Sequence, residues 1–91
     1  MKTGIELIAI ERTEQIKKHG RTIQSDVEEN TEDQLPTAAL WLIEGGLTMR
    51  QRVPSQWDED IWHKMIDKPY KERLIIAGAL IAAEIDRLQN S

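Results

Sequence analysis

A chain of 91 residues with 12 Lys and Arg against 16 Asp and Glu, a formal net charge of −4, is one domain without the electrostatic basis for duplex nucleic acid, although a local basic patch can still hold a small anion. It has no cysteine, hence neither disulfides nor thiolate metal sites, which fits a reducing cytoplasm. The uncharged run Leu74 to Ala83 falls well short of the ~20 residues needed to cross a bilayer, and Met-Lys-Thr-Gly leads into a charged amphipathic segment rather than an apolar signal core, so a soluble cytoplasmic protein is expected.

Ile5 to His19 reads as a first helix, with Ile5, Ile8, Ala9 and Ile16 on one face at the 3.6-residue period, and with Arg12 and His19 on that same face. Gly20 is a natural stop, and Lys17, Lys18 and His19 suit the negative end of the helix dipole. Arg21 to Asn30, of mixed polarity, reads as a long ordered loop. Thr31 with Gln34 matches a capping box, while Asp33 as the cap instead places Pro36 in the first turn. The second helix follows from Leu35, Ala38, Ala39, Leu42 and Ile43, and Gly45-Gly46 ends it.

Leu47 to Pro54 reads as a linker carrying Arg50 and Arg52. Ser55-Gln56-Trp57-Asp58 offers a cap for a short helix to about Ile66, with Trp57, Ile61, Trp62, Met65 and Ile66 in one stripe. The last helix runs from Pro69 to about Gln89. Its residues Leu74, Gly78, Ile81, Ile85 and Leu88 alternate spacings of four and three, the seam of coiled-coil-like packing. Ile76, Leu80 and Ala83 form a second strip, and a helix apolar on more than one side is buried more than a surface helix. In so short a chain, this second strip is expected to meet another subunit. The expected fold is therefore all-α: one domain over residues 1–91, a bundle of three main helices plus a short one, assembled as a homo-oligomer through the last helix.

Several groups carry possible chemistry. Glu11 and Glu14 lie three apart, a spacing that lets two carboxylates reach one divalent cation, as in the E-x-x-E of all-α nucleoside triphosphate pyrophosphohydrolases of the MazG type. Such enzymes add an E-x-x-D on another helix. The last helix offers only Glu84-Ile85-Asp86, whose carboxylates point ~200° apart, so solvated pairing of Glu11 and Glu14 with Lys17 and Lys18 is favoured. Arg12, within an apolar stripe, needs an anion. Glu84 is its expected partner across the helix interface, with Arg73 or Arg87 competing for that carboxylate.

The loop from Lys18 to Asp26 gathers cations, a glycine, hydroxyls and an acid, as ligand-binding loops do, although a helix cap followed by a turn accounts for it equally well. "KPYKERL", Lys68 to Leu74, sets Tyr70 beside Lys68, Lys71 and Arg73 at a helix start, a set suited to a nucleotide, with Tyr70 in the core as the plainer alternative. Trp41, Trp57 and Trp62 fit core or interface anchors. His19 and His63 lack partners at zinc-ligand spacing.

"ERTEQIKKHGRTIQSD", "QLPTAALWLI" and "WDEDIWHKM…KPYKERLIIAGALIAAEIDRL" together resemble a group of short phage and prophage proteins over nearly the whole chain. Glu11, Arg12, Gln15, Ile16, Gly20, Thr22, Asp26, Trp62, Lys68, Ala77 to Ile81, Ala83 to Ile85, Arg87 and Leu88 match their pattern, and Arg21 stands where an aromatic is usual. The resemblance implies a phage context rather than an activity. The expectation is a non-enzymatic binding protein without a cofactor that sequesters a small anionic ligand such as a nucleotide or cyclic nucleotide signal of host defence. Its site would draw on Arg12, His19, Arg21, Thr22, Asp26, Lys68, Tyr70, Lys71, Arg73 and Glu84. Two alternatives stand beside it: a magnesium-dependent pyrophosphohydrolase using Glu11, Glu14, Asp26 and Glu84, and a protein-binding inhibitor presenting Trp57 and Trp62.

Overall fold

The computed structural model describes residues 1–19 and 33–90, and these form five helices with no strand. They are α1 (Gly4–His19), α2 (Gln34–Glu44), α3 (Gly46–Gln51), α4 (Glu59–Ile66) and α5 (Tyr70–Gln89). The expected loop at Arg21–Asn30, the Gly20 stop and the Thr31 cap lie outside the described residues. No helix among the described residues is long and apolar enough to cross a membrane.

Three of these helix starts have a local cause in the sequence. At α1, Thr3 and Glu6 form a reciprocal capping box: the Glu6 amide donates to Thr3 Oγ1 at 3.2 Å and the Thr3 amide to Glu6 Oε1 at 3.1 Å. The backbone bond from Thr3, followed by its side-chain bond, holds the Glu6 carboxyl below its ordinary range. The signal was present as Thr-Gly-Ile-Glu. For α2, Asp33 sits at the cap position with φ 60°, making no side-chain cap bond, and Pro36 falls in the first turn, where its missing N–H costs nothing. Asp58 caps α4, its Oδ1 accepting from the Ile61 amide at 3.0 Å.

The expected linker at Leu47–Pro54 is half wrong. Gly45 ends α2 at φ 69°, a conformation glycine adopts without strain, but the chain re-enters a helix at once as α3. Six residues are too few for a hydrophobic period to show in a sequence; what holds α3 is the buried side chain of Met49 and its carbonyl, which accepts from Trp62 Nε1 at 3.2 Å. Arg50 on α3 forks onto Asp67 just beyond α4, with Nε at 2.8 Å from Oδ1 and Nη2 at 3.2 Å from Oδ2.

The long helix α5 is the middle of the fold, with α1 and α2 lying along it and barely touching each other. Its strip Ile76, Leu80 and Ala83, with Ala77, is buried against Leu35, Ala38, Ala39 and Leu42 of α2. Small residues on both sides allow this close approach. The expectation that the strip meets another subunit is thereby corrected, since α2 consumes it. Trp62 of α4, fully buried, closes the core, with Trp41 and Trp57 edge-on to it at 6.2 and 6.3 Å.

Against α1, Gly78 provides the approach: a methyl group there would lie 2.5 Å from Ile8 Cδ1. The face that α1 turns inward is Ile8, Arg12 and Gln15, with Arg12 and Gln15 buried. Ile5, Ala9 and Ile16, expected inside with Ile8, are exposed instead.

Two outcomes test this account. Gly78→Ala should cost about 1–2 kcal/mol in urea unfolding followed by circular dichroism, because crowding of Ile8 outweighs the gain in helix propensity; in an Ile8→Ala background the same change should be neutral or stabilising. Asp67, held below its ordinary range by the hydrogen bonds and charge of Arg50, loses that contribution as the pH falls through its lowered folded-state value, and retains it above the unfolded value. Carboxyl titration by NMR should find Asp67 ionised at pH values where other exposed aspartates have protonated, and Arg50→Gln should return it to the ordinary range.

Candidate functional site

The expected site residues divide between two places on α5. Lys68, Tyr70, Lys71 and Arg73 surround its start, whereas Glu84 lies near its other end. Fourteen residues from Tyr70 to Glu84 at 1.5 Å each separate them by ~20 Å, so one small ligand cannot contact both groups. Arg21, Thr22 and Asp26 lie outside the described residues. His19 closes α1 in the backbone, and its side chain is not among the described atoms.

At the start of α5, Arg73 is the organising side chain. Its Nη1 donates to the Leu42 carbonyl at 2.8 Å and its Nε to the Lys68 carbonyl at 3.1 Å. The first bond satisfies a carbonyl in the last turn of α2, one of those a helix end leaves without intrahelical partners, and brings a cation to the negative end of that helix. Room for the guanidinium comes from Gly45, where a Cβ would lie 2.0 Å from Nη1. Arg73 thus ties the end of α2 to the turn before α5, a structural task that the ligand-binding expectation did not foresee.

The same guanidinium lies over the Tyr70 ring, 5.4 Å from its centroid, and holds one side of the ring while the residue remains 56% exposed. Tyr70 is therefore not core. Lys68 and Lys71, near it in the chain, are exposed, Lys68 Nζ lying 3.9 Å from Glu72 Oε2. Pro69 at the cap position supplies no side chain to the first-turn amides.

The second place is polar and mostly buried. Arg12 and Gln15 of α1 and Gln34 at the start of α2 are buried; Glu84, Asp86 and Arg87 on the last turns of α5 are partly buried. The expected Arg12–Glu84 pairing is corrected. Glu84 is gripped through both oxygens by Arg87, one turn on, with Nη2 at 3.1 Å from Oε2, and Arg12 Nη2 reaches Asp86 Oδ2 at 3.7 Å. The competing partner Arg87 wins because an i,i+3 pair on one helix needs no ordering of a second element. The ~200° between residues 84 and 86 sends Glu84 to the α2 side and Asp86 to the α1 side.

The Mg²⁺ set is not gathered among its described members. Glu84 is engaged by Arg87, Glu11 Oε2 accepts from Gln15 Nε2 at 3.2 Å, and Glu14 lies exposed on the outer face of α1. No group of three His, Cys, Asp or Glu among the described residues converges on a metal position. That outer face carries an open groove of about 410 Å³ lined by Ala9, Ile10, Thr13, Glu14 and Lys17, which the sequence did not announce because its lining mixes both charges with small apolar groups. Trp62, fully buried, cannot present itself to a protein partner.

No family model matches the chain, and no curated protein or solved structure is significantly similar to it.

The tie made by Arg73 has a measurable consequence. Arg73→Lys keeps a charge but not the fork spanning two carbonyls, and should cost about 1–3 kcal/mol, or several degrees in melting temperature. Lys71→Ala, truncating an exposed side chain, should stay within about 0.5 kcal/mol. Thermal unfolding of the two variants side by side separates the structural cation from the available one.

Proposed function

We propose that this chain is a non-enzymatic binding protein whose ligand is a small anion with a planar base, a nucleotide or cyclic nucleotide, taken at the start of α5. One observation carries the reading. The Tyr70 ring is held by Arg73 and still open to solvent, with exposed Lys68 and Lys71 near it in the chain and the uncapped first turn of a twenty-residue helix at its base. An open aromatic face stacks a base with little sequence preference. Ammonium groups and first-turn amides together favour a phosphate. Glu72, in the same first turn, opposes a second negative charge nearby, so a single phosphate or a cyclic diester suits the place better than a polyphosphate.

The residues do no bond-breaking in this reading. Arg73 positions the ring, Tyr70 stacks, and Lys68 and Lys71 neutralise. In the phage context implied by the sequence resemblance, such a protein would act by holding a nucleotide signal of the host away from its receptor.

Isothermal titration of the purified protein with mono-, cyclic and dinucleotides tests this. Binding should weaken about tenfold in Tyr70→Ala and in Lys71→Ala, and should fall as salt screens the lysine contribution. Absence of heat with all three nucleotide classes, or binding indifferent to both substitutions, defeats the proposal.

A further inference from the structure

With α2 covering one side of α5 and α1 another, a third side remains bare, and it is the apolar seam. Leu74, Ile81, Ile85 and Leu88 are 39%, 45%, 51% and 58% exposed. Between them Gly78 is filled from the side by Ile8. No charged side chain interrupts the stripe from Leu74 to Leu88.

The direction of α1 extends this face. Ile8 meets Gly78, and Arg12, one turn later, reaches Asp86, two turns later; the two helices therefore run in the same direction, because in the opposite sense Arg12 would lie near Leu74, ~18 Å from Asp86. For parallel right-handed helices, the residues roughly 80–100° counter-clockwise of the contact on α5 and clockwise of it on α1 emerge on one side of the layer. On α5 these are the seam residues, and on α1 they are Ile5, Ala9 and Ile16, the residues that the sequence places inside and the structure leaves outside. Two helices thus contribute to one continuous apolar band.

We infer that this band is the interface with a second copy of the same chain, packed about a twofold axis near Ile81. Its exposed side chains present on the order of 600 Å², at the upper end of what a monomer leaves bare and most of the ~800 Å² per partner that a stable interface buries. The alternating four- and three-residue spacing is self-complementary, so the same residues supply knobs and holes on both copies. Charge argues against a lipid surface: amphipathic helices that lie on membranes carry a rim of lysines and arginines, and this chain has a net charge of −4.

The absence of cysteine makes a direct test possible. In the 91-residue protein, Ile81→Cys should form a disulfide-linked dimer under mild oxidation, and a cysteine at Ile10, which is 44% exposed on the outer face of α1, should not. By analytical ultracentrifugation the wild-type protein should sediment at twice its single-chain mass of 10.5 kDa. Ile85→Glu should weaken association at least ~100-fold while helical circular dichroism is retained, since Ile85 is half exposed within one chain. Ile81→Glu serves as the second variant should the first misfold. A wild-type monomer at tens of micromolar overturns the inference, as does an oligomer dissolved by Ile10→Glu but not by Ile85→Glu, or binding to anionic vesicles that is lost with Ile85→Glu. Because these readouts involve no nucleotide, the inference stands or falls separately from the proposed ligand.

Discussion

The constraint on which the rest of the structure depends is the circumference of α5. A twenty-residue helix with apolar or small residues on most sides has to be surrounded, and among the described residues only two other helices are longer than ten residues. The larger interface goes to α2, where alanines on both helices let the backbones close up around Leu35, Leu42, Ile76 and Leu80. Gly78 admits α1 on another side. The short helices α3 and α4 then close the core over α2 with Met49, Trp62 and Ile66. What remains bare on α5 is what the other described helices leave uncovered.

The polar groups inside follow from the same shortage. An arginine and a glutamine buried on the inner face of α1 cost desolvation that an alanine or leucine would avoid. Gln15 is bonded to Glu11 within α1, while Arg12 is directed across at Asp86, so a directional contact joins buried area in holding the α1–α5 interface. Such an interface has a defined register, and register decides whether Ile5 and Ile16 align with the seam. At the opposite end of α5, Arg73 performs the comparable service for α2. Two arginines, one for each flanking helix, fix how the layer is assembled.

Much of this was legible in the residues. The all-helical class, the bounds of α1, α2 and α5 to within a residue or so and the stop at Gly45 all follow from period and from glycine and proline positions, whereas the residues left Trp62 open between core and partner surface. What the residues did not reveal has physical reasons. On α1, the period located an apolar face correctly as a face, but packing was decided by the neighbour, and Gly78 selected Ile8 while Arg12 and Gln15 turned inward with it. On α5 the two strips are equally apolar, so nothing in their spacing says which one meets α2. The α3 helix is shorter than two hydrophobic periods, and the role of Arg73 depends on a glycine twenty-eight positions earlier, a relation only tertiary structure creates. For the site, grouping Arg12 and Glu84 with the lysines at Lys68 and Lys71 treated residues of one chemistry as one place, and the length of α5 separates them.

Assembly and ligand meet on the same helix, which links the two proposals geometrically. Were two copies of α5 to cross antiparallel about Ile81, their Tyr70 rings would stand eleven residues on either side of the axis, ~33 Å apart, and each chain would bind its own ligand. A parallel pair would bring both helix starts together, so that two tyrosines and four lysines faced one space. Like charges concentrated in that way repel unless an anion lies between them. In the parallel arrangement, therefore, a ligand with two phosphates would bind once per pair and tighten the pair, and in the antiparallel arrangement one with a single phosphate would bind twice and leave association unchanged. The stoichiometry of binding consequently reports the direction of the helices, and the dependence of assembly on ligand reports it independently through the same lysines.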